Sequence, residues 1–202
     1  MKVSSTVATA NLQYFSAGPG AGGMGARAFP DVRCPAAFGG VCVIAEARGS
    51  GNDPFAQVVV SAFDPLTGQT RSLASVTPAH GAALTSWDVS ADGRTLAFSD
   101  FAWDGGNRIT LVTAGSGETR IVDVKGFMNI ADLAWAADGR SLFATTATLH
   151  GSELLRVTLD GRAVLLRRLE GQGQFAPRPS PDGRSLLVGV QQSNSNAWLI
   201  ER

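Results

Sequence analysis

The chain has 202 residues, 44% of them hydrophobic, enough for one sizeable core. Its 17 Lys and Arg balance its 17 Asp and Glu, leaving no basic surface for nucleic acid or an anionic membrane. No apolar run reaches the roughly 18 residues of a membrane helix, so direct membrane insertion is not expected.

The opening stretch, MKVSSTVATANLQYFS, interrupts its apolar residues too often for a secretory signal, and no export address is expected. Residues 1–33 read as an irregular N-terminal partial unit. NLQYFSA is its clearest strand, VSSTVAT is a candidate latch strand, and AGPGAGGMGA (17–26) is a glycine-rich loop. That loop has no Lys-Ser or Lys-Thr after it, so it does not read as a phosphate cradle.

From residue 34 the chain becomes regular. VCVIAEA, QVVVSAFD and TRSLASV alternate as strands, with PLTGQ as a turn. The next stretch, LTSWDVSA-DG-RTLAFS, is followed by RITLVTA, a turn at GSGE, and TRIVDV. The same phrase returns as ADLAWAA-DG-RSLFAT, then ELLRVTL, Asp160-Gly161 and RAVLLRRL. It returns again as APRPSP-DG-RSLLVG, with NAWLIER after it. The pairs Asp92-Gly93, Asp138-Gly139 and Asp182-Gly183 stand 46 and 44 residues apart. In each pair the aspartate can accept backbone amides ahead of it, and the glycine takes the positive φ that closes a hairpin.

Four short strands per unit of about 40–45 residues predict an all-β chain of β-propeller blades. The units fall at about 34–76, 83–124, 130–169 and 174–202. With residues 1–33 that makes about four to five blades, either a small ring closed by the N-terminal latch strand or an incomplete, open one. Stacking is what buries both faces of such a sheet. Trp87 and Trp135 fall on the same face of their strands and are expected to fill the gaps between blades. An open ring would leave faces that invite self-association.

The phrases VSADGRTLAF, WAADGRSLFA and PSPDGRSLLV resemble the WD-like repeats of TolB-type β-propellers. The ordered set that ends in SNAWLIER is similar to the C-terminal propeller of bacterial regulators. In those proteins the propeller follows a serine/threonine kinase or winged-helix domain, usually with a membrane helix between. The resemblance implies a non-catalytic binding or sensing module in a signalling protein, recognising a protein, peptide or small ligand. The alternative is the gating propeller of a hydrolase such as a serine peptidase. A membrane-anchored regulator would place the propeller outside the cytoplasm; otherwise it is cytoplasmic.

Cys34 and Cys42 are the only cysteines. Similar propellers often carry a cysteine pair here, which implies a disulfide; two reduced, buried thiols are the other reading. Asp100, Trp103 and Asp104, in the loop SDFAWDGGN, are the candidates for ligand contact. His80 and His150 fall in loops without partners nearby in sequence. No catalytic residue, metal site or cofactor is expected, and the turn aspartates are expected to serve their own turns.

Overall fold

The computed structural model describes residues 31–34, 42–50, 53–77, 84–100, 106–171 and 173–192. They form fourteen strands in four antiparallel sheets. The first blade comprises β1 (Asp31–Arg33), β2 (Cys42–Ser50), β3 (Asp53–Phe63) and β4 (Thr70–Val76). The second comprises β5 (Leu84–Val89), β6 (Thr95–Asp100), β7 (Arg108–Thr113) and β8 (Thr119–Asp123). In the third are β9 (Ile130–Trp135), β10 (Ser141–Thr148), β11 (Gly151–Thr158) and β12 (Ala163–Glu170). A final sheet holds β13 (Gly173–Pro179) and β14 (Leu186–Gln192). Each sheet is a simple meander, neighbours in sequence being neighbours in space, which is the layout of a propeller blade.

One boundary needs correction. The first blade starts at Asp31, inside the stretch assigned above to the N-terminal unit, because β1 pairs with β2 through Asp31–Ala45, Val32–Ile44 and Arg33–Val43. A strand of three residues with one apolar side chain leaves no alternation to detect. The candidate strands VSSTVAT and NLQYFSA, the glycine-rich loop and the closing NAWLIER lie outside the described residues.

The second blade shows why these sheets stack. Strand alternation splits its side chains between two cores. Leu96, Phe98 and Val112 join Val43, Val58 and Val60 of the first blade, with Trp87 in the same cluster. Ala97, Ile109, Leu111 and Val122 face the other way and join Leu133, Leu142, Leu155 and Trp135 of the third. The two tryptophans therefore fill successive seams, each against the preceding blade. Burying a large apolar side chain contributes about 1.5–3 kcal/mol, and a lone second blade would expose both sets.

Turns near the outer strands clasp the seams. In the β7–β8 turn Gly115 N donates to Leu73 O of the first blade at 2.9 Å. One blade later, Lys125 N donates to Gly161 O at 3.0 Å, and Arg120 Nη2 donates to Leu159 O at 2.8 Å. Here the β11–β12 turn lies so close to β8 that a Cβ on Gly161 would sit 2.1 Å from Asp123 O.

Cys34 and Cys42 form a disulfide between the end of β1 and the start of β2, their Cα atoms 4.2 Å apart. Closing so short a loop restricts the unfolded chain by roughly 2–3 kcal/mol. Replacing both cysteines by serine should lower unfolding stability by that amount in urea. Dithiothreitol should produce the same loss in the wild type and none in the double variant.

Candidate functional site along the first strands

The first strands of the sheets, β1, β5, β9 and β13, form the same edge of each sheet, and β9 lies against both β5 and β13. The blades fan out from this edge, so residues on it converge from all four sheets. They are unexpectedly charged. Arg33 Nη1 lies 2.7 Å from Asp31 Oδ1, and Arg33 Nε lies 4.0 Å from Asp88 Oδ1 of the next blade. The Arg33 guanidinium also covers the Trp87 ring at 5.4 Å from its centroid. The Trp87 indole N–H donates to Asp31 Oδ2 at 3.1 Å.

The row continues into the third blade. Asp88 Oδ2 accepts the Trp135 amide at 2.7 Å. Ser86 Oγ donates to Asp132 Oδ1 and accepts the Leu133 amide at 3.3 Å. Asp132 Oδ2 then lies 3.7 Å from Arg178 Nη1 on β13. Asp31, Arg33, Asp88 and Asp132 are mostly covered, whereas the Arg178 side chain is 47% exposed. The Nη2 of Arg33 is buried without a hydrogen-bond partner. These carboxylates are held as acceptors by hydroxyl, amide and guanidinium donors. The row thus presents both signs of charge in fixed positions, which suits polar recognition.

The Asp-Gly turns do a different job. Asp92, Asp138 and Asp182 accept the amides of Arg94, Arg140 and Arg184 at 3.0, 2.9 and 3.1 Å, and Gly93, Gly139 and Gly183 have φ of 70°, 64° and 69°. The Ser90 hydroxyl, then the Arg94 amide, hold the Asp92 carboxyl below its ordinary range. Ser180 does the same for Asp182, and Thr158 for Asp160. These are groups fixed as anions within their own turns. Asp138 additionally pairs with Arg156 at 3.3 Å.

Asp100 ends β6, where its backbone pairs with Leu84; Trp103 and Asp104 lie outside the described residues. His150 occupies the exposed β10–β11 turn, and His80 lies outside the described residues. Among the described residues no group of three His, Cys, Asp or Glu side chains could hold a metal ion.

Sequence reading overlooked the charged row, yet a signal was available. Ser86 and Asp132 both stand six residues before their turn aspartates, while Asp88 and Arg178 both stand four before. Polar or charged side chains at corresponding places of successive first strands mark a shared polar edge.

Compared by sequence, the chain matches no family model and no curated protein. Its fold is nonetheless shared with solved propellers. TolB from Acinetobacter baumannii superposes with a TM-score of 0.54 at 18% identity, over 83% of this chain and 39% of that one. The WD40 domain of Toxoplasma gondii coronin gives 0.54 at 15% identity, over 78% and 38%. Hydrazine synthase of Kuenenia stuttgartiensis gives 0.53 at 20% identity, over 81% and 44%. The chain therefore spans less than half the length of each of these propeller proteins.

Proposed function

We propose that this stretch of β-propeller is a non-catalytic binding module whose contact surface is the charged edge formed by the first strands. The observation that carries the reading is the row Arg33, Asp88, Asp132 and Arg178, contributed by four successive sheets and held by bonds between them. A peptide segment with donors and acceptors of both signs would match it. Rigid blades fix the spacing of these charges, so recognition needs little rearrangement of the module.

In the bacterial regulators that the sequence resembles, such a propeller reports to a kinase or winged-helix domain, and we extend that role to this chain. The Cys34–Cys42 disulfide supports an oxidising compartment outside the cytoplasm.

The test is a displayed peptide library panned against the wild-type chain. Selected peptides should bind Arg178→Glu at least tenfold more weakly, since the new carboxylate faces Asp132. The melting temperature should change little because the Arg178 side chain is half exposed. Peptides that bind the wild type and variant equally, or a library that yields no binder, would reject the charged edge as the contact surface.

A further inference from the structure

The seam between the third blade and the final sheet departs from the seam before it. On β9 the amides of Leu133 and Trp135 donate to Ser86 and Asp88, and the Trp135 indole fills the core between blades. Counted back from the Asp-Gly turns, Pro177 and Pro179 occupy those two places on β13, and Ala134 occupies the place of Asp88. Proline has no N–H to donate. The Trp135–Asp88 bond has thus lost its donor and its acceptor together, and the indole has gone with them. On the facing wall Phe143 stands where β6 has Ala97, which restores only part of the missing bulk.

A cleft of about 210 Å³ results, with Phe143, Pro179 and Leu186 among its walls. An apolar cavity of about 150 Å³ is enough for benzene, so this one admits a fused bicyclic ring. Its polar lining includes Asp138, Arg156 and Arg184. Arg156 is already engaged by Asp138 at 3.3 Å and by Ser141 Oγ at 3.0 Å. The Arg184 guanidinium has no ion-pair partner among the described residues, so the cleft carries one uncompensated positive charge beside an aromatic-sized space.

We propose that this cleft binds a small aromatic carboxylate, its ring against Phe143, Pro179 and Leu186 and its carboxylate on Arg184. The site lies at the Asp-Gly turn end of the seam, and its test does not depend on the charged edge. The full chain would be titrated by calorimetry with indole-3-acetate and, separately, with indole.

Saturable binding of indole-3-acetate is expected. Arg184→Ala should weaken it at least tenfold while changing indole binding less than twofold. Pro179→Trp should abolish binding of both, because its ring refills the cleft as Trp135 fills the neighbouring seam. Ser185→Trp, from an exposed position on the cleft wall, offers a second blockade if the proline variant does not fold. Three results would overturn the proposal: no binding by folded wild-type chain at millimolar ligand, equal binding by Arg184→Ala, or binding that survives a folded blocking variant.

Discussion

Replacing Trp87 by alanine is expected to remove about 3–5 kcal/mol of stability, a large share of the 5–15 kcal/mol a typical domain has. The side chain is 1% exposed, stacks on Phe98 with ring centroids 6.4 Å apart, and lies in the core between the first two blades. Its loss leaves a cavity in the cluster shared by the two blades, so both lose packing at once. Phenylalanine variants separate the ring from its N–H. Trp87→Phe also forfeits the bond to Asp31, about 1 kcal/mol, whereas Trp135 Nε1 has no partner to lose. Urea unfolding of Trp87→Phe and Trp135→Phe should therefore show the larger loss for Trp87. Equal losses would mean that the indole bond contributes nothing.

Gly161→Ala is expected to cost more than about 2 kcal/mol, combining a strained φ with a steric clash between blades. The residue has φ of 85°, and a new Cβ would overlap Asp123 O at 2.1 Å. Gly68→Ala is the control: φ is +72°, but nothing lies within 4 Å of the added atom. It should cost only the left-handed conformation, about 1–2 kcal/mol. The difference between the two midpoints in urea then isolates the contact between the β11–β12 turn and β8. If both variants lose the same stability, that turn does not clasp its neighbour.

The parts of this fold that were legible in sequence are those set by nearby residues. Asp-Gly turns bond within two residues, and strand alternation alone put Trp87 and Trp135 on corresponding faces. Neither requires knowledge of what lies across the seam. The charged edge was harder because its partners lie far apart in sequence: Trp87 meets Asp31, Asp88 meets the Trp135 amide, and Asp132 meets Arg178. Single positions there read as ordinary polar residues, and only alignment of one unit on the next reveals them as a series. Strand β1 escaped detection for a different reason. Its place is held by pairing with β2 and by the disulfide at its end, neither of which is a property of the tripeptide itself.

The proline pair in β13 has a consequence beyond the seam. A sheet edge with free amides is a template on which another chain can add a strand, and continued addition leads to fibrils. Pro177 and Pro179 remove two amides from a strand of seven residues that, among the described residues, pairs with β14 on one side only. The chain also exposes apolar side chains on β12 and β14, among them Val164 and Leu187. Surfaces of that kind favour encounters between copies, but an encounter at β13 meets a backbone with two of its donors removed. Specific recognition through side chains is left open there, while indiscriminate strand addition is disfavoured.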